Sequence, residues 1–334
     1  MSSPIYQLVY ESRTLLGKLS LFRSSFPLQA LEQGLKVAEV DWRPLLDWAL
    51  LRFDPVDGNY HLHSLTAHYA QDLLDESDRV TTQVQLAEWY LRYGNKESHE
   101  LSDYLEAHRL LRAAGEIERA GELAMNLSEV LGRFGLYQLW RELCMATIDD
   151  AQDINESLVG EAQHQLGAIA QAQGEYEEAR RLYGESLAIA ERLGEQGGRA
   201  ITLGQLGLLA HGQRDYQAAL EYTAQALTLF ELLLSPSRDI ALRELTKLRT
   251  ELGETAFALL WQDTMNGQPL PELPAVDRQQ TLLQHLITFI QAESWMESQR
   301  LLEAHPEFLS TEADTLLEQL AAAQQDDGTR QLIE

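Results

Sequence analysis

Basic residues, cysteine, proline and long apolar runs are all scarce in this chain. Against 52 aspartates and glutamates stand 26 lysines and arginines, a formal net charge of −26 over 334 residues. A field of that sign repels phosphate backbones and anionic lipid, so nucleic-acid and membrane partners are not expected. The single cysteine, Cys144, excludes an internal disulfide and suits a reducing cytoplasm. It shares a helical spacing with Leu139, Leu143 and Ile148, which makes it a small core residue rather than a reactive thiol. No apolar run approaches the roughly 20 residues that span a bilayer. No basic stretch followed by an apolar one opens the chain, so no secretory leader is expected. Only nine prolines occur, and three of them lie between Pro269 and Pro274, which reads as a linker.

The motifs of catalysis are scarce too. No G-x-x-x-x-G-K-[ST] occurs; Gly17-Lys18 is followed by Leu19 inside an apolar helical pattern. No apolar strand ends in the acid that would hold a nucleotide's magnesium, so no ATP turnover is expected of this chain. His61, His63 and His68 lie near one another, but there is no His-Glu-x-x-His and no cysteine pair, so no metal site is expected. Ser64, beside His63, lacks the G-x-S-x-G elbow of a serine nucleophile. The expectation is a protein that is not an enzyme and needs no cofactor.

Helix formers are abundant instead: leucine, alanine, glutamate and glutamine dominate. Two stretches forty residues apart repeat one pattern. In the first, Leu166-Gly167 and Ala170 are followed by Tyr176 and Ala179. In the second, Leu206-Gly207 and Ala210 are followed by Tyr216 and Ala219. Glycine and alanine let antiparallel helices approach closely, while leucine and tyrosine are expected to fill the groove between them. A helix pair of this kind cannot bury its apolar face alone, so neighbours must stack on it. The stretch Tyr104–Leu131 is a degraded copy, with Ala107-His108 where the Leu-Gly pair stands elsewhere. Gly115, Gly135, Gly174, Gly194 and Gly212 are expected at turns. Leu245–Trp261 continues at helical spacing, and residues 278–320 form a last helical module in which Trp295, Leu301 and Leu302 cap the array. A polar, frayed end over 324–330 follows.

The pattern resembles the tetratricopeptide repeat, a helix–turn–helix unit with Leu-Gly in its first helix and alanine early in its second. The spacing of 40 exceeds the family's usual 34, and the extra residues are expected to lengthen the second helix through Ala190–Leu193. In that family the first helices line a concave binding face. The resemblance places Glu161, His164, Ala168 and Gln171, then Ile201, Gly204, Leu208 and His211, on that face. It implies a protein or peptide ligand.

The first eighty residues read differently. Apolar helical segments are expected at Leu15–Phe22, Phe26–Leu31 and Trp42–Leu51, the last with Leu45, Leu46, Trp48, Ala49, Leu50 and Leu51 mostly buried. A β-hairpin turning at Asp57-Gly58-Asn59 and a helix from Ser64 to Leu74 follow. Three helices, a hairpin and a helix describe a winged-helix fold. The segments LSLFRSSFPLQAL (19–31), LLDWALLRFD (45–54) and YHLHSLTAHYA (60–70) resemble the winged-helix domain of STAND-type signalling ATPases, the NB-ARC group. In that family the domain stands between a P-loop ATPase module and a ligand-sensing repeat array. A histidine before its last helix contacts the nucleotide's β-phosphate. His63 occupies that place, with Ser64 where the family often has aspartate.

The expected architecture is mostly α: a winged-helix-like domain over 1–80, an α-solenoid of tetratricopeptide-like pairs over 81–268, and a helical capping module over 269–334. The expected function is a cytoplasmic protein-interaction and sensor module, the regulatory half of a STAND-type switch, with an ATPase module upstream or on a separate chain. Two alternatives stand beside it. One is a transcription regulator whose winged helix reads DNA and whose repeats take an inducer, although the segment expected to read DNA carries Asp47 among apolar residues. The other is a free-standing adaptor.

Overall fold

The computed structural model describes residues 4–265, 268–273, 286, 289–290, 306–310 and 313–317. They fall into two compact units, Met1–Leu209 and Ala210–Glu334.

The first unit opens with α1 (Pro4–Leu19), a short helical turn (Ala30–Gly34) and α2 (Glu39–Asp47). A hairpin of β1 (Leu51–Asp54) and β2 (Asn59–Leu62) follows, and then α3 (Ser64–Ala70). The hairpin turn is built from its aspartates. Asp54 accepts the N–H of Val56 and Asp57 that of Asn59, both at 2.8 Å. Phe26 adds a further rung, exchanging two 2.8 Å backbone bonds with Tyr60. This order of elements is the expected one, but the third helix is shorter than expected. The N–H of Leu50 bonds back to the carbonyl of Leu45, and Ala49 takes φ +54°, so the helix ends at Asp47 to let β1 begin. Trp48, expected in the core, is 53 % exposed as a result.

Behind the hairpin, α4 (Glu76–Tyr93) is N-capped by Asp75, whose carboxylate accepts the N–H of Asp78 at 2.8 Å. Leu86, Trp89 and Tyr90 of α4, and Leu110 and Leu111 of α5 (Leu101–Ala113), share one core with Leu19, Phe26, Leu31, Leu45 and Leu51. That core draws residues from both sides of position 80. Next come α6 (Ile117–Asn126), α7 (Ser128–Arg133), α8 (Tyr137–Ala151), α9 (Glu156–Ala172), α10 (Tyr176–Leu193) and α11 (Gln196–Gly212). Within this unit α4 packs on α5, α5 on α6, α6 on α8, α8 on α9, and α9 on α10. As expected from the long repeat, α10 runs to Leu193. Cys144 is wholly buried in α8, and burial pushes its thiol up to about 12.

In the second unit, α12 (Tyr216–Leu232), α13 (Arg238–Leu252) and α14 (Glu254–Thr264) pack on one another. The helical spacing of Leu245–Trp261 is divided between α13 and α14 at Gly253, whose φ of +81° no helix can contain. Further along, Leu286, Phe308, Ala313 and Leu316 bury one another. Trp295, Leu301, Leu302 and the stretch 324–330 lie outside the described residues.

The helix-pair turns show what the forty-residue spacing does. Gly174 closes α9 with φ +77°, the N–H of Glu175 reaching the carbonyl of Ala170 at 2.8 Å. The residue forty positions on is Arg214, and it makes the same turn with φ +61°, the N–H of Asp215 reaching Ala210 at 2.9 Å. Gly212, expected at this turn, is instead the last residue of α11. A non-glycine residue held in the left-handed region is strained. Arg214→Gly is therefore expected to stabilise the second unit by about 0.5–1 kcal/mol, net of glycine's freer unfolded chain. The urea midpoint checks this; an unchanged or lower midpoint contradicts it.

Candidate functional site

A cleft of about 410 Å³ opens between α9, α10 and the start of α11. Its first wall is set by Asn155, which caps α9 by accepting the N–H of Leu158 at 3.1 Å and so fixes the phase of the helix. One turn further on, Glu161 and His164 face the opening. The second wall is the end of α10, with Ser186 and Ile189. The third is the first turns of α11, with Ile201 and Thr202. Glu195 and Gly197, from the α10–α11 turn and the start of α11, form the rim.

The floor is polar but uncharged. His164 Nδ1 lies 3.1 Å from Thr202 Oγ1, which in turn lies 3.4 Å from Ser186 Oγ. Burial pushes the imidazole down to about 4, so it is neutral at physiological pH. Thr202 and Ser186 are almost wholly buried. The rim is acidic. Burial raises the proton affinity of Glu161, and the carboxylates of Glu195 and Glu122 raise it further. No lysine or arginine lines the cleft. Ile201, about half exposed, and Ile189 supply an apolar wall.

The cleft thus brings together three of the residues placed on the concave face: Glu161, His164 and Ile201. Gln171, two turns beyond His164 on α9, is engaged elsewhere, accepting the Tyr183 hydroxyl at 2.9 Å. Tyr183 is wholly buried and fills the groove against Gly167, where a methyl group would lie 2.7 Å from its ring. The groove-filling role expected of the repeat tyrosine Tyr176 therefore belongs to Tyr183. Tyr176 opens α10 and is 49 % exposed. Ala168, Gly204 and Leu208 are half-buried on their helices. His211 belongs to the second unit, where its two ring nitrogens meet Glu244 and Glu251 of α13. Ser186, Thr202, Glu195 and Gly197 escaped the sequence reading. The Glu195-Gln196-Gly197-Gly198 run was the available signal, since glycines inside a first turn mark an open wall.

His63 caps α3, its Nδ1 accepting the N–H of Leu65 at 3.3 Å. That bond makes Nε2 the protonated nitrogen. Among the described residues, no cluster of histidines, cysteines and carboxylates could hold a metal ion, and no helix is long and apolar enough to cross a membrane.

No curated protein matches the chain. Among solved structures it is similar to the apo form of RapI, at 13 % identity and a TM-score of 0.46, over 79 % of this chain and 68 % of that one. It is similar to aspartyl phosphate phosphatase F from Bacillus subtilis, at 13 % identity and a TM-score of 0.42, over 97 % and 95 %. A STAND protein with a tetratricopeptide repeat sensor from Pyrococcus horikoshii matches at 14 % identity and a TM-score of 0.30, over 97 % of this chain and 62 % of that one. Residues 158–231, from the third residue of α9 to the penultimate residue of α12, match the tetratricopeptide repeat family.

Proposed function

We propose that this chain is a non-enzymatic sensor and interaction module. Its tetratricopeptide-like repeats bind a protein or peptide partner, and it serves as the regulatory half of a STAND-type switch whose ATPase module lies upstream or on a separate chain. One observation carries the binding part: Glu161, His164 and Ile201, given to the ligand face by the repeat pattern, line one cleft inside the family-matched segment. Repeat arrays of stacked helix pairs present surfaces for partners rather than reaction centres. The switch part draws on the order of helices, hairpin and helix in the first eighty residues. It also draws on His63, whose Nε2–H is the kind of donor a phosphate oxygen accepts.

The binding part is tested with a library of short synthetic peptides read by fluorescence anisotropy. Saturable binding is expected for some members. Ile201→Asp, which puts a charge on the apolar wall, is expected to weaken those members about tenfold or more. A control substitution on α10, Glu178→Gln, is expected to leave them unchanged. A library in which nothing binds, or binding indifferent to Ile201→Asp, overturns the reading.

A further inference from the structure

We infer that the cleft between α9, α10 and α11 receives a single basic side chain, a lysine or an arginine of the partner, with its aliphatic stem against Ile189 and Ile201 and its cationic head between Glu161 and Glu195. This deepens the reading of the repeats as a peptide-binding surface and rests on it.

Size comes first. Small-molecule sites occupy roughly 300–1,000 Å³. At about 410 Å³ this cleft fits one long side chain, not a helix. Charge comes next. Two carboxylates stand at the mouth with no lysine or arginine in the lining, and among the described residues neither takes part in an ion pair. The neighbouring acids Glu156 and Glu191 are each matched to an arginine, Arg192 and Arg199. Glu161 and Glu195 are therefore the charges of the cleft lining left for something else to neutralise, and Glu122 nearby adds to the negative field there. The raised proton affinity of Glu161 says the same: its charge is held at a cost that an incoming cation would relieve. An anionic ligand is excluded by the same two groups.

Chemistry further narrows the choice. Neutral His164 with the Thr202 and Ser186 hydroxyls can accept or donate hydrogen bonds to a polar head without adding charge. A bare metal ion would need a fuller set of charged ligands than this floor provides. The apolar wall of Ile189 and Ile201 suits a methylene stem, which a long basic side chain buries while its head stays polar.

Gly197 supplies a clean way to close the cleft. A Cβ built there meets nothing within 4 Å, so a side chain can leave the backbone at this position without a clash. The position lies in the first turn of α11, where replacing glycine also favours helix. Gly197→Leu is thus expected to fill the mouth while leaving the protein at least as stable as the wild type.

The test uses the full chain with ¹³C-labelled isoleucine methyls. It is titrated with N-acetyl-arginine methylamide, the lysine counterpart, and the neutral isostere N-acetyl-citrulline methylamide. The arginine and lysine probes are expected to shift the Ile189 and Ile201 methyl signals saturably, and citrulline at least about tenfold more weakly. Glu161→Gln is expected to weaken the cationic probes about fivefold, and Gly197→Leu to abolish their effect with no fall in melting temperature. Citrulline binding as well as arginine, or shifts that survive both substitutions, overturns the inference. The peptide library separates this from the broader reading: peptides that bind with no preference for lysine or arginine, and as well to Gly197→Leu, leave the repeats a partner surface while removing the basic pocket.

Discussion

Gly167→Leu is expected to cost the first unit about 3 kcal/mol or more and to lower its melting temperature by several degrees. A Cβ at Gly167 would already lie 2.7 Å from Cδ1 and 2.8 Å from Cε1 of Tyr183, nearer than real Cβ atoms come. The ring cannot swing aside freely. It is wholly buried, and its hydroxyl is tied to Gln171 at 2.9 Å. Leucine adds three more carbons to the same space, so either the Tyr183–Gln171 bond breaks or α9 and α10 separate. Helix propensity works the other way, because leaving glycine gains about 1 kcal/mol in a helix interior. Gly184, one position after Tyr183 on α10, isolates that term: a Cβ there meets nothing within 4 Å. Gly184→Ala is expected to stabilise by about 0.5–1 kcal/mol while Gly167→Leu destabilises. Ala179→Trp, at a wholly buried position of α10, is expected to act as Gly167→Leu does. Thermal melts of the three variants decide the matter. If Gly167→Leu melts with the wild type, the close approach of α9 and α10 is wrong.

Gly167 was legible in the sequence because a Leu-Gly pair recurs at a fixed interval. Its partner Tyr183 was not. The period says that a small residue must meet something large, but not which residue of the next helix arrives opposite it. The same limit explains the cleft. Glu161, His164 and Ile201 come from the repeat resemblance, which assigns positions within one helix at a time, whereas Ser186, Thr202 and Glu195 reach the cleft only through the packing of three. Turns were legible where glycine marks them, as at Gly174, and misplaced where the fold forces another residue into the left-handed region, as at Arg214. Trp48 misled for a related reason. Its apolarity predicts burial, but the hairpin's need to begin at Leu51 ends the helix one residue before it. The repeat resemblance places His211 on the ligand face, and a pattern within one helix pair does not reveal the two carboxylates that α13 brings to it.

Those carboxylates make the stability of the second unit depend on pH in a direction that can be stated in advance. His211 Nδ1 contacts the Glu244 carboxylate, and Nε2 lies 3.0 Å from Glu251. Glu244 is only 5 % exposed, and Lys247 reaches its other oxygen at 3.3 Å. Burial by itself would lower the proton affinity of His211, but hydrogen bonds to Glu251 and Glu244, together with their charges, outweigh it and leave the value raised. Both ring nitrogens facing carboxylates requires both to donate, which only the imidazolium can do. The folded state therefore holds the proton more tightly than the unfolded chain, where histidine titrates near 6.5. Its contribution is fully present below about pH 6.5 and is lost as pH rises through the higher folded value. The hydrogen bond to Glu251 is the largest single cause of the rise, although solvent screens that half-exposed group, while the buried Glu244 adds both a hydrogen bond and its charge. His211→Leu leaves that carboxylate with Lys247 as its remaining cation and is expected to cost about 2–4 kcal/mol at pH 6. The gap between wild type and variant is expected to narrow toward pH 9, as the wild type loses the proton the variant never held. Urea unfolding of both proteins at pH 6, 7.5 and 9 measures it. A gap that stays constant or widens with pH would mean that His211 binds these carboxylates as a neutral ring.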